Sequence, residues 1–306
     1  MKYIIKLIFF GLLICLIYKI NPTTLKNLTK LTEIPPQSLV VLSLFCVTYQ
    51  IILGIELRIL CSIFDVELSL LESIGLSSTR SIANYLPLGA GIISNALYLK
   101  KLKGLKYRSF ISIVLTNTVL MIATSSAIGI IACVTSPYKN YNTQIIFTLF
   151  LILLSVLLIL ILMSIWCPAS MHISNFSKNL TNKLQEGLSI LNRNHRKLYA
   201  IISIKLITIA LLSFKMKILF TSIDLDLTSL SIILLVTSTL SFQIITILPG
   251  NIGITESIAG IISASTGSDF QIGFIGFAID RLIQFIWISF IATLSIGYFL
   301  IKHKTQ

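Results

Sequence analysis

Runs of about 20 apolar residues, each long enough to cross the ~30 Å hydrocarbon of a bilayer as a helix, recur along this chain. The clearest are Ser38–Leu60, Phe110–Val134, Gln144–Trp166 and Leu227–Leu248. Inside lipid, backbone N–H and C=O groups must be satisfied without water, which leaves helices and closed barrels, and runs of this length and uniformity predict helices. The expected fold class is therefore all-α: a polytopic integral membrane bundle. Composition agrees, with 55% of residues hydrophobic and only 11% charged, against about 25% charged in soluble domains. At ~20 residues per crossing, the 306 residues supply about seven or eight membrane segments. Residues 1–306 are read as one integral membrane domain with no separate soluble domain.

The formal charge is +13, from 24 Lys and Arg against 11 Asp and Glu. On a soluble protein such an excess suggests nucleic acid, but membrane proteins concentrate Lys and Arg in cytoplasmic loops, so no nucleic-acid partner is inferred. Lys100, Lys101, Lys103, Lys106 and Arg108 form one acid-free basic segment. A second runs from Pro168 to Lys197, where Lys178, Lys183, Arg193, Arg196 and Lys197 face a single acid, Glu186. Its apolar positions Ile173, Phe176, Leu180, Leu184, Leu188 and Leu191 recur at helical spacing, which fits a surface-lying amphipathic helix and a solvated cytoplasmic linker equally. The first run, Ile4–Ile20, carries Lys2 and Lys6 at its start and is followed by no small-residue cleavage pattern. It is read as a retained helix with the N-terminus cytoplasmic. Cys15, Cys46, Cys61, Cys133 and Cys167 lack metal-site spacing and read as small buried hydrophobes.

Two segments interrupt the pattern. Asn84-Tyr85-Leu86-Pro87-Leu88-Gly89-Ala90-Gly91 breaks a first apolar stretch (about residues 73–99), and Leu248-Pro249-Gly250-Asn251-Ile252-Gly253 opens a second (about 249–268). Proline removes a backbone donor and glycine loosens the chain, so neither stretch is expected to be one continuous helix. The first, followed by the basic segment, is a re-entrant candidate. Paired breaks in two halves of a membrane protein point to a midplane binding site, where freed backbone groups face a ligand. Pro87, Gly89, Gly91, Pro249, Gly250 and Gly253 are the residues expected to shape that cavity. The second break leads into Glu256, with Gly260, Ser263, Ala264 and Gly267 along a face suited to close helix contact.

A charge at the centre of a membrane helix costs roughly 2.5–3.5 kcal/mol on insertion scales, so each one needs a use. Arg281 lies about 16 Å along a helix from Phe270, near the midplane. An ion pair between Glu256 and Arg281 is the sharpest expectation. Asp280, adjacent to Arg281, points about 100° away and needs another partner. Glu56 and Arg58 are taken as interfacial, and Lys205, Lys215 and Lys217 as interruptions that weaken the crossing Leu198–Phe220. Thr116, Asn117, Thr118, Thr124, Ser125 and Ser126 in one crossing are read as helix contacts ahead of cavity lining. Arg80, Asn84 and Asn95 flank the first break and offer donors to an anion.

These residues resemble the flippase-like transmembrane region of lysylphosphatidylglycerol synthases and their stand-alone relatives. The resemblance runs from about Leu53 to Gly297. It is carried by Asn84-Tyr85-Leu86-Pro87-x-x-Ala90-Gly91, Leu99-Lys100-Lys101 and Gly104-Leu105, and by Leu248-Pro249, Gly253, Glu256, Gly267 and Arg281. The chain departs from the family at Ile92 and Asn95, where an acid and an arginine are common. The resemblance implies movement of an anionic phospholipid, glycolipid or polyprenyl-phosphate-linked intermediate between leaflets of a prokaryotic cytoplasmic membrane. It implies no lysyl transfer, because nothing in the chain resembles the aminoacyltransferase domain. Arg80, Asn84, Asn95, Glu256 and Arg281 become the candidate substrate-binding residues, and lipids with anionic headgroups the expected partners, together with a lipid- or glycan-modifying enzyme. No catalytic residue, metal ligand or cofactor is assigned.

Two other functions compete. A membrane-embedded transferase or accessory subunit of envelope assembly would need an acidic pair such as Asp224-x-Asp226, which has no third ligand near it. A small-solute secondary transporter would use the same two breaks and require an ion gradient.

Overall fold

The computed structural model describes residues 34–86, 90–135, 144–155, 194–223, 225, 227–242, 251 and 253–304. The first apolar run, most of the basic segment 168–197, Pro87, Gly89, Pro249, Gly250, Asp224 and Asp226 lie outside the described residues. Within them the chain is entirely helical: α1 Pro36–Ser62, α2 Leu70–Ala83, α3 Ala90–Lys103, α4 Tyr107–Thr135, α5 Gln144–Ser155, α6 His195–Ser222, α7 Ser229–Phe242, α8 Ile254–Ser265 and α9 Phe270–Lys304. Four of these, α1, α4, α6 and the Phe270–Gly297 part of α9, are long and apolar enough to cross a membrane. The protein is a polytopic helical membrane protein.

The short helices are the informative ones. α2 has 14 residues and rises about 21 Å, less than the ~30 Å hydrocarbon. It begins at a capping box in which Ser69 and Glu72 satisfy each other's backbone N–H, and it ends at the Asn84 cap, followed by a turn. α3 then packs back along α2. Lys103, the last residue of α3, lies 3.3 Å from Glu72 in the first turn of α2. The segment therefore leaves by the face it entered: α2 and α3 form a re-entrant hairpin. The turn to α4 is made at Gly104, whose φ of +69° suits a residue without Cβ.

The second break is built the same way from the opposite face. α6 runs antiparallel to α1, because Lys197 near its start donates to the Ser62 carbonyl at the end of α1 (2.8 Å). Its far end thus lies away from the α2–α3 mouth, and α7 starts from there. α8, 12 residues long, packs on α7 and α9 and ends beside the start of α9, where Ser263 donates to the Asp269 carbonyl (3.0 Å). α9 then runs back across, and its distal part meets the first hairpin: Ser295 and Phe299 abut Gly75, and Tyr98 and Phe299 are 5.1 Å apart between ring centroids. The end of α9 thus lies on the same side as the basic segment Lys100–Arg108. Among the described residues the chain contains two units of the form span, hairpin, span (α1 to α4 and α6 to α9), inserted in opposite senses.

Close approach between helices depends on glycine where the sequence places it. A Cβ at Gly260 would lie 2.5 Å from the Phe270 ring, and one at Gly273 would run into the Ala259 carbonyl, so α8 and α9 pack backbone to backbone. The hydroxyls of α4 serve helix contact where they are paired. Ser125 and Ser126 hydrogen-bond Ser241 of α7 at 2.7 and 3.5 Å, while Thr118 and Thr124 bond carbonyls of their own helix. Cys46 and Cys61 are buried free thiols, as a small hydrophobe would be.

Candidate functional site

Both breaks converge on one stretch of α9, Asp280 to Phe285, close to the middle of its membrane-spanning part. From the first, Tyr85 packs edge-on against Phe285 with ring centroids 5.1 Å apart. From the second, Gly253 caps α8 with φ +85°, and its N–H donates to Glu256 Oε2 (2.8 Å). That conformation is strained for a residue with a side chain, which explains glycine at the cap. The carboxylate so fixed also accepts from the Thr255 hydroxyl (3.1 Å).

Arg281 completes the cluster. Its Nη1 is 2.9 Å from Glu256 Oε1, and its Nη2 donates to Thr255 Oγ1. The expected Glu256–Arg281 ion pair is present, and a threonine hydroxyl joins the two. Asp280 takes the separate partner its position on the helix demands: Lys215 of α6 approaches Oδ1 at 2.8 Å and donates to Oδ2 at 3.0 Å. Gln284, one turn on, donates to the same Oδ2 at 2.6 Å. Two ion pairs of opposite polarity thus branch from adjacent residues of α9.

Between them lies a cavity of about 90 Å³, room for a few waters or part of a headgroup. Asp280, Arg281 and Gln284 line it from α9, Thr255 from α8, Thr239 from α7 and Tyr49 from α1, over an apolar floor of Leu212, Met216, Val236, Leu240 and Phe277. Arg281 is the accessible cation, its side chain 22% exposed where that of Lys215 is wholly buried. A polar cavity with one reachable guanidinium, walled by low-dielectric packing, is suited to bind an oxyanion in two-pronged fashion.

The other candidates do not line this cavity, although Arg80 lies within electrostatic reach of Tyr49, which does. Arg80 occupies the last turn of α2, partly buried. Asn84 is the exposed cap of α2, and its side chain, with the Arg80 carbonyl, fills the space a Cβ at Gly91 would need, so Gly91 lets α3 close on α2. Asn95, buried in α3, has neither amide atom hydrogen-bonded among the described residues.

The sequence reading of charge needs correction at α1 and α6. Glu56 is not interfacial: it is buried and lies 2.5 Å from Lys205. Lys205 and Lys215 do not weaken α6, which runs unbroken from His195 to Ser222, because each is neutralised by an acid from a neighbouring helix. Thr255, Gln284, Lys215 and Tyr49 were missed. The missing signal was arithmetic: the two buried lysines of one apolar helix, Lys205 and Lys215, require acids elsewhere, and Glu56 and Asp280 supply them.

The family described as the lysylphosphatidylglycerol synthase TM region matches residues 3–292. The match begins earlier than the motifs suggest and takes in the first apolar run. No curated protein and no solved structure matches the chain.

Proposed function

We propose, from the premise that this chain belongs to the lysylphosphatidylglycerol synthase TM region family, that it is a translocase carrying an anionic lipid between leaflets. The class is a phospholipid, glycolipid or polyprenyl-phosphate-linked intermediate, in a prokaryotic cytoplasmic membrane, with the N-terminus and basic segments inside. An enzyme acting on the same lipid is the partner such a role calls for. The observation that carries the reading is the meeting of two oppositely inserted hairpins on Asp280–Phe285, beside a cavity whose accessible lining charge is Arg281. A headgroup needs a polar path while its chains stay in lipid, and paired broken segments supply one at the midplane. Arg281 would take the phosphate oxygens, Glu256 would hold the guanidinium in place, and the basic segment would gather anionic lipid at the entry face.

The test is a leaflet assay on purified protein in phosphatidylcholine vesicles carrying trace labelled phosphatidylglycerol or polyprenyl phosphate. Wild-type protein is expected to move label, and Arg281→Ala to lose at least tenfold in rate. Glu256→Gln should fall between them. Inactivity of the wild type towards every lipid class would overturn the proposal.

A further inference from the structure

Arg80 is a membrane-embedded cation that the protein leaves without a counterion of its own. It lies about 15 Å along α2 from Leu70, partly buried. Among the described residues its side chain forms no ion pair and no hydrogen bond, unlike those of Lys205, Lys215 and Arg281. The acid within its electrostatic reach is Glu56, whose carboxylate is already 2.5 Å from Lys205. Arg80, Glu56 and Lys205 together therefore carry one positive charge. A guanidinium held in a low-dielectric bundle is costly until an anion meets it.

The packing of α2 on its two neighbours fixes where that charge sits. Towards α1, Ser77 donates to the Gln50 carbonyl and Ser78 to Gln50 Oε1, both at 3.4 Å, while Gly54 packs on Ile74. The two helices run antiparallel, so this register sets Arg80 level with Thr48 and Tyr49. Tyr49 lines the Arg281 cavity and feels the charge of Arg80. Towards α3, Lys103 meets Glu72 at 3.3 Å and Gly91 packs on Asn84, a register that sets Asn95 level with Arg80. Asn95 shares the α2-facing side of α3 with Gly91, one turn on. It is 1% exposed, and neither of its amide atoms is hydrogen-bonded among the described residues. Buried amides are ordinarily satisfied, so this one calls for a partner that the fold itself does not supply.

We propose that Arg80 and Asn95 form a second phosphate-binding station, which the headgroup occupies between the basic segment Lys100–Arg108 and the Arg281 cavity. The proposal rests on the translocase reading above and adds an intermediate stop to its route. Asn95 lies about 12 Å along α3 from Lys103, so a headgroup gathered at the basic segment meets this level before it reaches Tyr49 and the cavity. The guanidinium offers paired N–H donors to two phosphate oxygens, and the Asn95 amide offers another. A monoanionic phosphodiester brings the sum over Arg80, Glu56 and Lys205 to zero and so enters without leaving an uncompensated charge. Arg281 already shares its charge with Glu256 at 2.9 Å. Arg80 is thus the tighter station, and Arg281 the one from which the headgroup is released.

The test uses full-length protein in phosphatidylcholine nanodiscs with trace phosphatidylglycerol carrying a photoreactive headgroup, and maps the captured peptides. Arg281→Ala should still capture lipid in α2 and α3, within about twofold of wild type. Adding Arg80→Gln should weaken that capture about tenfold. Arg80→Lys, which keeps the charge and loses the fork, should lie between the two. Asn95→Leu removes an amide without a protein partner and should weaken capture about threefold, a result that decides the matter if Arg80→Gln fails to fold. Soluble glycerol phosphate should displace the lipid only weakly; its binding at Arg80 with no capture of lipid would identify a free-phosphate site and overturn the proposal. Capture in α2 and α3 that neither Arg80→Gln nor Asn95→Leu alters also overturns it, and leaves the translocase reading standing if wild type moves label between leaflets. Failure of wild type to move any lipid overturns the translocase reading and, with it, the stop on the route.

Discussion

The buried ion pair between α1 and α6 offers a direct check on how this bundle tolerates charge. Lys205 Nζ lies 2.5 Å from Glu56 Oε1, with each side chain 4% exposed. At an effective dielectric of about 20, unit charges at that separation attract by roughly 6–7 kcal/mol. Desolvating the two ions takes back several kcal/mol each, so the pair as a whole is close to balanced. Removing one partner is a different perturbation, since it deletes the attraction and leaves the other ion buried. Glu56→Leu and Lys205→Met are each expected to lose about 3–5 kcal/mol of stability. The double variant Glu56→Leu/Lys205→Met, which removes both charges at similar volume, should recover part of that loss, the remainder reflecting Arg80, whose charge Glu56 also offsets. The assay is reversible unfolding in mixed lipid–detergent micelles, with helix content followed against denaturant and the four proteins forming a double-mutant cycle. Neither residue lines the cavity, so lipid movement per folded molecule should be unchanged in the double variant. Single losses below about 1 kcal/mol, or a double variant as weak as the singles, would refute the reasoning.

Three further outcomes follow from the packing. Gly273→Ala, whose new methyl would meet the Ala259 carbonyl, should destabilise the α8–α9 contact by about 1–3 kcal/mol, measured as a drop in Tm in the same micelles. Ser69→Ala removes the hydroxyl that accepts the Glu72 N–H at 3.2 Å and should cost about 1 kcal/mol, whereas Lys103→Ala should cost under about 1 kcal/mol because Lys103 is only partly buried. Cysteines introduced as Lys106→Cys and Asp269→Cys, both at exposed positions, should label with impermeant maleimide from opposite sides of sealed vesicles, and a tag after Gln306 should share the side of residue 106. Labelling of both cysteines from one side would show that the two hairpins are not inserted in opposite senses.

The architecture was half legible in the sequence. Long apolar runs give α1, α4 and α6 nearly to their ends because, in lipid, apolar length and helix length are one constraint. The first hairpin was legible because a Pro-Gly break and a basic flank together demand that the chain turn back. The second was not, since Leu227–Leu248 is long enough to span by composition, and only the placement of α8 beside the start of α9 fixes α7 and α8 as partners entering from one face. Hydropathy records how apolar a segment is and carries no information on which neighbour its end meets.

The charged site divides along the same line. Glu256 and Arg281 were legible as a pair because each is an isolated charge in an apolar stretch, 25 residues apart across one tight connection. Asp280–Lys215 and Glu56–Lys205 were not, because their partners are separated by 65 and 149 residues and helical spacing says nothing about contacts between distant helices. The lysines of α6 looked like defects of a crossing only while each charge was costed alone. A membrane helix is not penalised for a charge that a neighbour neutralises in the same layer.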